Sequence, residues 1–179
     1  MPLRTYLRLP VIALAALLGA CGFQLRGQAS LPFETLYLAM PEYSPMSVDL
    51  KRNIAAGTNA RLVDDAGKAQ AILELVSEEQ KKVILSFNAA GQVREYQLRY
   101  RIAFRVRDAR GRDYIPRSEI QLARDISYST AQVLSKESEE QLLYRDMQRD
   151  MVQQILRRLA AAPAEPIAFE SGAKDAAAR

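Results

Sequence analysis

Val93-Arg94-Glu95-Tyr96-Gln97-Leu98-Arg99-Tyr100-Arg101-Ile102-Ala103-Phe104-Arg105-Val106-Arg107 alternates almost without fault between two kinds of side chain. Tyr96, Leu98, Tyr100, Ile102, Phe104 and Val106 share one parity. Glu95, Gln97, Arg99, Arg101, Arg105 and Arg107 share the other, with Ala103 their only apolar companion. Successive side chains on a strand point to opposite faces, so this is a long strand with one buried face and one wet face. Asp108-Ala109-Arg110-Gly111-Arg112 supplies a turn, and residues 114–128 return with Ile120, Leu122 and Ile126 in phase, which predicts a hairpin. Pro116 has no N–H for a ladder and belongs at a strand end, an edge or a bulge.

The hairpin needs a cover for its apolar face, and two helical patterns supply it. Downstream, Ser138-Glu139-Glu140-Gln141 has capping-box spacing and predicts a helix start. Leu143, Met147, Met151, Ile155 and Leu159, joined by Val152 and Leu156, then line one helical face, with the methionines read as core filler. Pro163 stops this helix, and residues 163–179 read as a disordered tail. Upstream, Ser44 as N-cap, Pro45 at the first helical position and Gly57 at the end bracket a helix striped by Met46, Leu50 and Ile54. Residues 36–40 form a short buried strand stopped by Pro41, and residues 61–63 a minor strand before the turn Asp64-Asp65-Ala66-Gly67. Residues 71–76 form a further strand, and residues 81–87 either continue it or form its partner-facing end. Two helices with one apolar stripe each cover one sheet face only. The expected fold is therefore α+β, a two-layer sandwich with a mixed sheet of about four strands and two helices packed on one face. The uncovered face carries the arginines.

The N-terminus has a different grammar. Arg4 and Arg8 make a positive leader, residues 9–18 are apolar apart from Pro10, and Leu18-Gly19-Ala20 places small residues before Cys21, the one cysteine of the chain. Residues 1–20 thus read as a secretory signal peptide, too short to span a bilayer. The ending resembles the lipobox of bacterial lipoproteins, in which the cysteine is acylated and begins the mature chain. Acylation of Cys21 anchors the protein firmly, because two or more acyl chains suffice for stable attachment. Gly22, where an aspartate would signal inner-membrane retention, points to the outer membrane. Residues 21–30 then form a lipidated tether, residues 31–162 the folded domain, and one cysteine allows no intramolecular disulfide.

Charge narrows the chemistry. Without the leader, 23 basic residues face 21 acidic ones, so no global attraction to nucleic acid or a membrane surface exists. Locally, residues 92–124 hold nine arginines and no lysine against four acids. Arg99, Arg101, Arg105 and Arg107 form a row whose forks suit carboxylates and phosphates. A solvated face neutralised by Glu119, Gln121 and Asp125 from the neighbouring strand is the alternative. Nucleic acid is rejected as a partner, since the tyrosines share the buried face and the chain is exported. With no histidine, Ser-His-Asp, Cys-His and His-metal chemistries are excluded, and no phosphate-binding glycine motif occurs. Asp64 with Asp65, or Asp108 with Asp113, are the remaining acid and base candidates, and such aspartates read first as turn formers. The chain is read as no enzyme, with no catalytic residue, metal or cofactor.

Cys21-Gly22-Phe23-Gln24-Leu25-Arg26-Gly27 resembles the mature start of the lipopolysaccharide-assembly lipoprotein family, LptE. Phe87 with Gly91-Gln92 and Glu95-Tyr96-Gln97, then Gly111-Arg112-Asp113 with Pro116, then Leu134-Ser135-Lys136-Glu137 with Glu140, resemble that family's blocks in the same order. The resemblance implies an outer-membrane lipoprotein on the periplasmic side, seated as a plug inside the lumen of the barrel protein LptD. It implies that the two carry lipopolysaccharide to the cell surface, and that two helices cover one sheet face. It implies lipopolysaccharide binding at Lys136. A second basic position of the family aligns near Asn88, which is not basic, and Arg94 is the substitute from the adjacent strand. Arg99 and Arg101 join them as candidates. The expected partners are the LptD barrel, lipopolysaccharide and outer-membrane lipid through acylated Cys21. Two rival readings are a lipoprotein that only scaffolds barrel assembly and a carboxylate-based envelope hydrolase.

Overall fold

A computed structural model describes residues 29–129 and 132–167. The signal peptide, Cys21, the tether as far as residue 28 and the tail from residue 168 lie outside the described residues. The elements in chain order are β1 (Thr35–Ala39), α1 (Pro45–Gly57), β2 (Arg61–Leu62), a single 3-10 turn (Ala66–Lys68), β3 (Ala71–Phe87), β4 (Val93–Arg107), β5 (Asp113–Ser127) and α2 (Val133–Ala160). One mixed sheet has the order β2-β1-β3-β4-β5. It has five strands where about four were expected, with the two-residue β2 at the place of the minor strand read at residues 61–63. β1 runs parallel to both β2 and β3, and β3, β4 and β5 form an antiparallel meander.

The alternation of β4 sets the layers. Leu98, Tyr100, Ile102, Phe104 and Val106 are buried in one core with Met147, Met151, Val152, Ile155 and Leu159 of α2 and Met46, Leu50 and Ile54 of α1. α1 begins as its residues dictate: the Ser44 hydroxyl accepts from the Ser47 N–H at 3.1 Å, and Pro45 opens the first turn. Pro116 lies in a bulge, since Phe104 pairs with Ser118 and Val106 with Ile115, leaving Pro116 and Arg117 against Arg105 alone.

One boundary differs from the sequence reading. α2 starts at Val133, five residues before Ser138, and its N-cap Gln132 makes no side-chain capping bond. Ser138 is instead inside the helix, where its hydroxyl donates to the Leu134 carbonyl at 3.2 Å. β3 is one unbroken strand, the first of the two alternatives for residues 81–87. Its alternation is interrupted by a bulge at Val76, between the pairs Leu75 with Phe104 and Ser77 with Ala103. Past the bulge, Glu78, Gln80, Lys82 and Ile84 lie opposite Ile102, Tyr100, Leu98 and Tyr96, and so take the helix-facing side. Near the end of the described residues the Ile167 N–H donates to the Asp113 carbonyl at 2.7 Å.

Candidate functional site

The open face of the sheet is less naked than a row of arginines suggests. Glu74 on β3 takes two of them: Arg107 donates from Nε at 3.1 Å and Nη2 at 2.8 Å to one carboxylate oxygen, and Arg105 donates to the other. Those hydrogen bonds, Arg107 first and Arg105 second, hold the Glu74 carboxyl below the usual glutamate range. Arg101 lies 3.3 Å from Glu119 on β5. Arg99 is different. Its Nε donates to Gln97 at 2.8 Å, and Gln97 donates onward to Asp125 at 3.0 Å, but among the described residues no carboxylate pairs with Arg99 itself. The register then places Lys81 of β3 directly opposite Arg99, two cations on one face, with Lys81 bridged to Glu79 at 2.6 Å. Sequence reasoning missed Lys81, because only the β3 to β4 register reveals it.

Lys136 sits in the first turn of α2, where the helix dipole disfavours a cation. Two contacts offset that. Its Nζ donates to Ser127 Oγ at 3.0 Å and to Glu139 at 2.8 Å, with 16% of the side chain exposed. Ser127 ends β5 in register with Glu95, the neighbour of Arg94. Arg94 occupies an irregular step of β4, between the pairs Val93 with Phe87 and Glu95 with Ser86, and its carbonyl accepts from the Tyr128 N–H at 2.8 Å. Its side chain is exposed and, among the described residues, in no ion pair. Through Ser127 and Tyr128, Lys136 and Arg94 are both tied to the C-terminal end of β5. Arg99 and Arg101 lie about 17 and 23 Å farther along β4 than Arg94 at ~3.3 Å per residue, so the four candidates form two separate pairs. Lys82 adds a cation at this end, 2.5 Å from Glu140 and 4.4 Å from the Tyr96 ring, which packs edge-on to Tyr128.

One aspartate of each pair proposed as acid and base is occupied otherwise. Asp65 accepts from the Gly67 N–H at 2.8 Å, and Asp108 accepts from the Arg110 and Arg112 N–H groups and from Arg112 Nε. Burial raises the Asp108 carboxyl, but the Arg112 and Arg110 bonds and the Arg112 charge outweigh it and hold the group below its ordinary value. Asp108 is thus a fixed turn anion. Asn88, at the position where a basic residue was sought, accepts from the Ala90 and Gln92 N–H groups and builds the β3 to β4 turn. Among the described residues no acidic or cysteine cluster suits a metal ion, and no helix is long and apolar enough to cross a membrane. A groove of about 860 Å³ runs between α1, α2 and β3, lined by Asp49, Gln80, Leu142, Tyr144 and Gln148, and contains none of the four candidate cations.

Comparison with known proteins gives this arrangement a context. Residues 33–159 match the family model LptE, described as lipopolysaccharide-assembly. An LPS-assembly lipoprotein LptE of Yersinia pestis is 27% identical over 154 residues, covering 83% of this chain and 73% of that protein. Among solved structures, a lipoprotein B of Nitrosomonas europaea is 44% identical, with a TM-score of 0.68 over 78% of this chain and 91% of that one. A rare lipoprotein B of Shewanella oneidensis is 26% identical, with a TM-score of 0.63 over 72% of this chain and 95% of that one. The match to the family spans both helices and every strand of the sheet, and the chain belongs to the LptE family of lipopolysaccharide-assembly lipoproteins, proteins of the bacterial envelope.

Proposed function

We propose that this protein is an outer-membrane lipoprotein, acylated on Cys21, that plugs and supports assembly of the LptD barrel and binds lipopolysaccharide on its way to the cell surface. The observation that carries the ligand part is the corner where α2, β4 and β5 converge, with Lys136 held at Ser127 and exposed Arg94 at Tyr128. Arg99 with Lys81, and Arg101 beside them, extend the cationic surface along the open face. Lipid A phosphates and core-sugar anions are multivalent, so these cations compete with the divalent ions that bind the glycolipid into aggregates. No covalent bond is made or broken. The protein acts by orienting and dispersing its ligand, without catalytic group or cofactor.

The scaffold reading draws on one specific observation. Glu74 and Glu119 already neutralise Arg105, Arg107 and Arg101, so much of the row is internally satisfied. A pull-down of the lipidated protein from envelope membranes tests both readings. The proposal expects the barrel and glycolipid together; the barrel without glycolipid selects the scaffold, and neither one overturns the reading.

A further inference from the structure

The sheet has one stretch of edge that the molecule leaves bare. β1 pairs with β3 only from Ala71 to Glu74, and among the described residues no strand lies on that side of residues 75–87. Every other exposed margin is protected. β2, at the opposite end of the sheet order, is two residues long. β5 carries Pro116 in its bulge and Arg117, Glu119, Arg124 and Asp125 along its length, while Arg158 bonds the Glu119 carbonyl at 3.1 Å and Ile167 bonds that of Asp113. The middle of β3 is charged from Glu78 to Lys82, and Tyr144 Oη donates to the Lys81 carbonyl at 3.0 Å. Charge, proline, short length and covering side chains are the means by which proteins stop edges from pairing.

Val83-Ile84-Leu85-Ser86-Phe87 has none of these four, although its pairing with β4 is stepped at Leu85 and again between Ser86 and Phe87. It contains no charge and no proline, and among the described residues no hydrogen bond reaches its main chain from an element other than β4. Ile84, Leu85 and Phe87 are 50%, 47% and 59% exposed. A row of main-chain N–H and C=O groups finds partners in water or in another strand, and lipid supplies neither donor nor acceptor row. The apolar side chains disfavour water. Two free copies paired through five residues would bury far less than the ~1,200 Å² of a stable interface, so the occupant is a segment already held nearby by other contacts.

We infer that residues 83–87 form a strand-addition site that accepts an extended, apolar segment of the barrel partner. The inference rests on the plug reading above, which supplies the neighbour. Once the barrel surrounds the protein, an added strand completes the edge that β1 leaves open and fixes the hairpin end against the partner.

Amide hydrogen exchange on the full lipidated chain, alone at two concentrations and in complex with the co-purified barrel, tests this. Amides within residues 83–87 that exchange fast in the free protein are expected to slow about tenfold or more in the complex, with the β5 amides unchanged. Leu85→Lys is expected to abolish that protection while the amides of Leu98 to Val106 remain as slow as in the wild type, which separates loss of pairing from loss of folding. If the barrel co-purifies and residues 83–87 exchange as before, strand addition is wrong and the plug reading stands. If no barrel co-purifies, both fall. Protection already present in the free chain at both concentrations would assign the edge to this chain's own termini, and protection that rises with concentration would assign it to a second copy; either result overturns the proposal.

Discussion

The two ends of the β3 to β4 ribbon are built on opposite plans. At the end where β3 begins, the sheet is five strands wide, both helices lie over it, and Leu36, Leu73, Met46, Leu50, Ile54, Phe104 and Val106 are all at most 1% exposed. At the hairpin end only β3, β4 and β5 remain, the helix-facing side of β3 turns to Glu78, Gln80 and Lys82, and large apolar residues stand in water beside Arg94 and Lys136. One extra residue, Val76, makes the switch, because a bulge exchanges the faces of the residues beyond it, here as far as Ile84. Stability is concentrated at the first end and candidate contacts at the second. The polar half is not unsatisfied: Tyr100 bonds Glu78, and burial first, then that bond, raises the phenol far above its ordinary pKa, so it stays a proton donor at any physiological pH.

If this division is right, substitutions should sort by end. Phe104→Ala, at the packed end, is expected to lower unfolding free energy by about 3 to 5 kcal/mol in denaturant melts, against under ~0.5 kcal/mol for Phe87→Ala. Equal losses would dissolve the comparison. Ser44→Ala removes the α1 cap and should cost about 1 kcal/mol, measured the same way, with Ser44→Asp restoring most of it.

The smallest effect is on pH. Glu74 is ordinarily a carboxyl of pKa 4.5 and is held lower in the folded state, so its ion pairs contribute stability above that value and lose it as pH falls through the depressed one. Glu74→Gln should therefore flatten the stability profile below pH 4.5, with the difference from the wild type shrinking as the pH falls through the depressed value. Because the pairs are partly exposed, the difference at neutral pH should stay within ~1 kcal/mol. A profile unchanged by the substitution would show that the arginines find equal partners elsewhere, and would loosen the contrast between the neutralised end of the row and Arg99.

What was legible in the sequence follows the same divide. The faces of β4 could be read from parity alone, the α1 start from Ser44-Pro45, and the α2 stripe from the spacing of Met147, Met151, Ile155 and Leu159. The two-layer plan needed nothing more. Two features could not be read, and a third was left open, because their information lies in pairing. The start of α2 was placed at Ser138, where a capping box fits the letters, whereas the serine hydroxyl bonds backward to Leu134 and the helix begins without a side-chain cap. The unity of β3 was one of two alternatives, because the bulge that breaks its alternation leaves the continuation undecided. The company of the arginines is a matter of register: Glu74 opposite Arg105, and Lys81 opposite Arg99, are three-dimensional facts with no local signal. The family resemblance supplied Lys136, which composition and periodicity alone left unmarked.

The central claim is that the hairpin end, and Lys136 above all, receives the anionic head of lipopolysaccharide. Titration of the purified protein with lipopolysaccharide at two salt concentrations, wild type against Lys136→Asp, tests it most directly. In the variant a new acid faces Glu139, yet an acid in the first turn of α2 suits the helix dipole, so folding should change by less than ~1 kcal/mol. The account predicts about tenfold weaker binding with a shallower salt dependence, since contacts between exposed charges are screened within ~10 Å at 0.1 M salt. Unchanged affinity at both salt concentrations, in a variant that melts like the wild type, would contradict it.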